Sequence, residues 1–348
     1  MKLIEKDYKS KLLASIVVLI SFFVFKWLPG KLFFSSFEAK VFNSGFFPLS
    51  LNPMSIDTPW DQFFTPWFLW ATGLVLKPED IVTILDFLNL VSGVIIVSFL
   101  SFRFHWLFGF GFAFVIASSP LYLIFKTWIG FSDPITFLLI CIYIIIVFSN
   151  ISSFWKPILL TFILLLGFSN HLFQFIVLSF FVSSVLFLED LSRWKVFAVS
   201  FLLSGIVYSL LLIYLFSNTD ITWNHTRVSV FSNMIGTEFI RMNVSHPILG
   251  TLGLFHGLWP FVLYIMFKRP FSCFVFIFCY IISMLTYDTN RVFAILSTPV
   301  LILYSIEFWK ISKFGERSIW IGLGFLSPLI ATLYPLFYKW DGRIIYLH

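Results

Sequence analysis

The sequence predicts an all-α, polytopic membrane protein: one integral-membrane domain over residues 1–348, built as a helical bundle of about eleven spans, within a range of 10–12. Three observations predict it. The chain is 59% hydrophobic and only 11% charged, where a soluble domain carries about 25% charged residues. Its mean hydropathy is +0.95, more apolar surface than a water-soluble chain of this length can hide. The apolar residues also fall into runs of about 20, the length a helix needs to cross a bilayer. The 49 Phe residues exceed any packing need and read as compositional bias. Cys141, Cys273 and Cys279 all lie inside apolar runs without CxxC spacing, so neither a metal site nor a disulfide framework is read from them.

Taken in order, the spans fall near 10–29, 81–101, 105–125, 134–149, 157–169, 171–188, 195–216, 248–267, 271–286, 292–308 and 319–338. The first follows MKLIEKDYKSK, which resembles a signal-peptide n-region, but it ends in KWLPGK with no small-residue cleavage site and reads as an anchor. The short 157–169 segment pairs with 171–188 as a broken or re-entrant unit. The density of Lys and Arg sets the sides. With the N-terminus in the cytoplasm, short inner turns hold Arg103, Lys156, Arg193, Lys195, Lys268, Arg269, Lys310, Lys313 and Arg317. The loop 30–80 and the loop 217–247 then face outward, the first with a helix lying in the interface.

Most of the acids outside the basic turns gather at the outer face. In SIDTPWDQFF, Thr58 caps a helix, Pro59 suits its first turn and Asp61 completes a T-x-x-D capping pattern. Asp57 precedes the cap and has no helical duty, which makes it a catalytic candidate. In FSDPITF, Asp133 opens a span before Pro134. Capping accounts for it locally, and its position on the same face as Asp57 makes it a second candidate. Asp86 sits just over a turn inside the second span, where an ionisable side chain is costly and functional by default. Asn170 and His171 mark a tight break in GFSNHLFQF. Asp288 and Arg291, three apart in YDTNR, are spaced to pair with each other. Arg291, with Arg227 and Arg241 in the second outer loop, is also a phosphate-ligand candidate, because a guanidinium meets phosphate oxygens through a planar fork. The sequons at Asn224 and Asn243 face outward as well.

This order of features resembles the GT-C superfamily of integral-membrane glycosyltransferases over roughly residues 10–305: an acid in the first outer loop, an interfacial helix, an SDP acid opening a later span, and a late D-x-x-R. The first loop carries D-x-x-x-D where many members place their acids closer together. The resemblance implies sugar transfer from a polyprenyl-phosphate donor to a glycan, lipid or protein acceptor hydroxyl, in a bacterial inner membrane with the active site facing out. It assigns Asp57 and Asp133 to catalysis and Arg291 to the donor phosphate; the residues themselves add Asp61 beside the catalytic acids, Arg241 and Arg227 as further phosphate ligands, and Asp288, His171, Asn170 and Asp86 as supporting positions. A divalent cation (Mg or Mn) on Asp57 and Asp133 is the one cofactor it leaves open.

Three other readings compete, one of them a purely structural membrane subunit in which every acid caps a helix. A polysaccharide polymerase or ligase acting on lipid-linked glycans would use Arg227, Arg241, His225 and His246 in the loop 217–247. A lipid or sugar transporter or flippase would show internal symmetry and midplane charges. No Gly-rich phosphate loop and no zinc spacing occurs in the chain, and no partner on nucleic acid is implied.

Overall fold

The computed structural model describes residues 2–32, 64, 68, 72, 78–127, 133–217, 252–284, 289–333, 336–338 and 344–346. They form an almost entirely helical bundle. The helices are α1 (Lys2–Leu32), α2 (Pro78–Arg103), α3 (Trp106–Ala117), α4 (Pro120–Thr127), α5 (Asp133–Phe148), α6 (Trp155–Glu189), α7 (Leu191–Ser217), α8 (Trp259–Lys268), α9 (Phe271–Met284), α10 (Thr289–Ile311) and α11 (Phe314–Leu333). A 3-10 turn, His256–Leu258, leads into α8, and a two-stranded antiparallel hairpin, β1 (Leu336–Tyr338) with β2 (Ile344–Tyr346), follows α11. Among the described residues, five helices are long and apolar enough to cross a membrane: α1, α2, α6, α7 and α10. The chain is thus an integral membrane protein of several passes.

Two expected spans differ in form. The apolar run 105–125 is divided into α3 and α4 at Ser118–Ser119, because Pro120 removes an amide donor and disfavours helix in the residue before it. The hydroxyls of both serines turn back onto the preceding turn, Ser118 Oγ to Phe114 O at 2.5 Å and Ser119 Oγ to Ile116 O at 2.7 Å. The last span ends at Leu333 rather than near 338, and the residues after it include the hairpin.

The unit 157–189 is broken sharply. Within α6, His171 has φ −161° and ψ 82°, outside the helical region. The neighbours of α7 show how far the two halves turn. Trp194 Nε1 donates to Ser183 Oγ at 2.9 Å, while Ser200 Oγ donates to Pro157 O at 3.3 Å and Ser204 Oγ to Thr161 O at 3.0 Å. A continuous helix would separate residues 157 and 183 by about 39 Å, whereas residues 194 and 200 of α7 are only about 9 Å apart. The halves 155–170 and 172–189 therefore double back as a helical hairpin. The reversal is tight at Gly167, where a Cβ would overlap the Phe175 ring.

Side-chain contacts sort the turns into two ends. At the charged end, Arg103 reaches Phe148 O and Asn150 Oδ1, Lys156 reaches Ser149 O, Arg269 pairs with Glu189 at 3.3 Å, Arg193 with Asp190 at 2.9 Å, and Lys268 with Glu316 at 2.6 Å. At the opposite end, Asp133 meets Arg291 and Tyr122 Oη donates to Asn89 O.

The core is aromatic and close-packed. Trp320, fully buried, contacts Phe108, Phe112, Phe261 and Trp309 with ring centroids 5.0 to 6.0 Å apart. Gly111 and Gly324 let α3 and α11 approach, and a Cβ on Gly324 would lie 3.0 Å from the Gly111 carbonyl. Close approach through small residues stands in for hydrophobic drive inside a bilayer. α10 occupies the centre: 94% of its apolar window is buried, against 22% for α7, which presents apolar side chains outward.

Candidate functional site

The opposite end brings three helices together around buried polar groups. Pro134 in the first turn fixes the start of α5, so Asp133 sits at the helix N-terminus, where the positive end of the dipole favours a carboxylate. Arg291 lies in the first turn of α10, where its own helix disfavours a cation. The two side chains meet: Arg291 Nη1 donates to Asp133 Oδ2 at 3.0 Å, across 158 residues of sequence. Their side chains are 10% and 4% exposed. A pair this enclosed has lost most of its hydration, so breaking it is costly.

One turn along α5, Thr136 is fully buried and its hydroxyl accepts from Asn170 Nδ2 at 2.9 Å. Asn170 is itself fully buried at the tip of the α6 hairpin. The next residue, His171, carries the break, and its Nδ1 accepts from the Gln174 amide at 3.4 Å. Gln174 is buried, and its Oε1 has no hydrogen-bond partner among the described residues. Asp133, Arg291, Thr136, Asn170 and Gln174 thus hold a polar seam along α5, α6 and α10.

Asp86 lies apart from this pair. Its carboxylate stands 3.9 Å from Lys26 Nζ, with the two side chains 25% and 53% exposed, a geometry worth little. Asp57, Asp61, Arg227, Arg241 and Asp288 lie outside the described residues, as does most of the loop 30–80 with its expected interfacial helix. Within that loop the described residues Phe64, Phe68 and Thr72 are helical, with the first two rings stacked at 5.9 Å.

Three polar residues at this end escape a reading of the sequence. Thr136 and Gln174 look like isolated polar positions in apolar runs; Thr136 meets its partner Asn170 at the tip of the α6 hairpin, and Gln174 lies just past the break at His171. His256 is the third: it is buried and has φ +48°, the left-handed region that costs a non-glycine residue about 1–2 kcal/mol. Packing holds it there. A Cβ on Gly257 would overlap the Ser327 carbonyl of α11, and Phe255 contacts Phe293, two residues from Arg291, at 5.0 Å. The His-Gly pair just before Pro260 is the one signal that could have marked it.

Arg291 engages one oxygen of the Asp133 carboxylate, and Asp57, the other expected metal ligand, lies outside the described residues. Among the described residues, no three His, Cys, Asp or Glu side chains gather within ligating reach of one another. Compared with protein-family models, curated proteins and solved structures, the chain matches none.

At the charged end, Asp190 lies between α6 and α7. Burial pushes its carboxyl up, but the Ser192 hydroxyl at 2.6 Å, the Arg193 amide at 3.2 Å and the Arg193 guanidinium outweigh that, and the net direction is below the ordinary aspartate range.

Proposed function

We propose that the protein is a GT-C-type membrane glycosyltransferase that moves a sugar from a polyprenyl-phosphate donor to an acceptor hydroxyl at the end opposite the basic turns. The observation that carries this reading is the buried pair of Asp133 and Arg291. An arginine fork held by a carboxylate in the first turns of two helices suits a lipid phosphate, which supports this reading. In this proposal the chain crosses eleven times, with α3 and α4 counted as one passage and α6 as two. The basic turns are cytoplasmic, so the loops 30–80 and 217–247 join the Asp133 end outside.

The donor enters sideways from the bilayer. Arg291, oriented by Asp133, meets its phosphate, with Arg241 or Arg227 as further ligands. Asp57 takes the proton of the acceptor hydroxyl, whose oxygen attacks the anomeric carbon. The bond from that carbon to the phosphate oxygen breaks, and polyprenyl phosphate leaves with the electron pair. General-base help of this kind contributes about 10²–10⁴-fold, and cationic stabilisation of the leaving phosphate adds to it. The lysine variant at 291 keeps the charge but loses the fork.

The test is release of polyprenyl phosphate from a labelled lipid-linked sugar by the purified protein. Asp57→Asn abolishes it with expression and membrane insertion intact, and Arg291→Lys lowers it at least tenfold. Full turnover in both variants refutes the proposal. The reversal at His171 favours a second reading, since broken helices also line transporter sites. Movement of intact lipid-linked sugar across vesicles, with no cleavage, would select that reading instead.

A further inference from the structure

At the charged end, α5, α6 and α7 leave a cavity of about 290 Å³ that plays no part in the chemistry above. Its floor is apolar, with Val147 and Val196, and its mouth is polar, with Ser153, Lys156, Ser192 and Arg193. Lys156 Nζ donates to Val147 O at 3.3 Å and Ser149 O at 2.9 Å, which leaves one of its three donors for another acceptor. Beside it, Arg103 donates to Phe148 O at 3.3 Å and Asn150 Oδ1 at 2.7 Å. Neither cation forms an ion pair among the described residues.

Positive charge is in excess here. Arg193 and Lys310 flank one ring, 4.5 and 4.7 Å from the Phe148 centroid, and Arg193 and Arg103 both repel the Lys156 ammonium. Against these four cations stand two carboxylates, Asp190 and Glu307, leaving two positive charges uncompensated. Crowded like charges are costly wherever water is thin, and an anion in the cavity would relieve them.

The surroundings select the kind of anion. The volume is at the lower limit of small-molecule sites, enough for a head group and too small for a whole lipid. Phe154 and Trp155 stand 67% and 57% exposed beside the mouth, as aromatics do at head-group depth. Farther along α6 and α7, Phe162 and Leu202 present apolar side chains outward, a surface for acyl chains. Basic pockets between helices on the positively charged side of a membrane protein suit anionic head groups. We propose that this cavity binds the phosphate of an anionic phospholipid, with Lys156 and Arg193 on the phosphate oxygens, Ser153 donating a hydrogen bond, and the acyl chains lying along α6 and α7. The site is independent of the glycosyltransferase reading.

The test measures thermal unfolding of the full chain in neutral detergent, titrated with phosphatidylglycerol, with phosphatidylcholine, or with inorganic phosphate at millimolar concentration. Phosphatidylglycerol raises the unfolding temperature, and the other two do not. Lys156→Gln raises the phosphatidylglycerol concentration for half effect about fivefold, the weight of one cation at an anionic surface. Ser153→Glu, at an exposed position, weakens binding by removing the donor and adding a negative charge, and carries the test should Lys156→Gln fail to fold. Lys268→Gln, a cation at the same end but paired with Glu316, leaves the titration unchanged. An equal response to both lipids, or variants at 153 and 156 that behave like the one at 268, overturns the proposal. Stabilisation by inorganic phosphate equal to that by phosphatidylglycerol overturns the lipid as the source.

Discussion

Replacing Asp133 with Asn separates two duties that its position combines. Asparagine caps a helix about as well as aspartate, so a residue that only starts α5 tolerates the change at a few tenths of a kcal/mol. The ion pair gives a different figure. At 3.0 Å and an effective dielectric near 20, the attraction is about 5–6 kcal/mol before desolvation is counted. Most of that offsets the cost of drying both groups, and removing one partner of such a pair leaves the other buried and uncompensated, at about 3–5 kcal/mol. Asp133→Asn is therefore expected to destabilise by about 3 kcal/mol, Arg291→Met by a similar amount, and the double variant by much less than their sum. The assay is a double-mutant cycle on reversible unfolding of the purified protein in lipid or detergent. A coupling below about 0.5 kcal/mol, the level at which distant sites merely add, would refute the claim that the pair holds α5 to α10. Sugar transfer measured on the same variants divides the roles further, because the double variant regains stability while losing the guanidinium that the proposed donor needs.

Three other expectations follow from the packing and charges. Gly167→Ala places a methyl in the Phe175 ring and should cost about 1–3 kcal/mol; adding Phe175→Leu relieves the overlap, so thermal unfolding of the pair should show a loss well below additive. The depressed Asp190 carboxyl contributes stability at pH values above its unfolded value of about 3.9, and that contribution is lost as pH falls through the lower folded value. Acid unfolding below about pH 4 should thus flatten in Asp190→Asn, and identical acid limbs in the two proteins would contradict this. For topology, single cysteines at the exposed positions 314 and 332, in a Cys273→Ala background whose remaining Cys141 and Cys279 are fully buried, should label from opposite sides of the membrane; labelling of both from one side would refute the crossing of α11.

Hydropathy made most of the helices legible, because a bilayer demands long apolar runs and internally satisfied backbone. The break at GFSNHL was legible for the same reason: asparagine and histidine interrupt a run that otherwise continues. Partnership was not. Nothing in the spacing tied Arg291 to Asp133: that contact spans 158 residues and is set by how α5 and α10 lie together, while Asp288, the neighbour the spacing offered, lies outside the described residues. The backbone of His256 was equally hidden, since a left-handed residue beside Gly257 is dictated by the distant Ser327 carbonyl. The hairpin after α11 was absorbed into an overlong span, although Pro335 disfavours helix in the residue before it.

The central place of α10 has a consequence for biogenesis. The helix around which the others are arranged leaves the ribosome 158 residues after the carboxylate it will neutralise. At about 5–20 residues per second, that interval is roughly 10–30 s. For that time the newly inserted segments must stand around an unfilled axle, with Asp133 awaiting its counter-ion. A nascent chain stalled before residue 289 should accordingly be a substrate for membrane quality control, while one released after residue 311 should close at once.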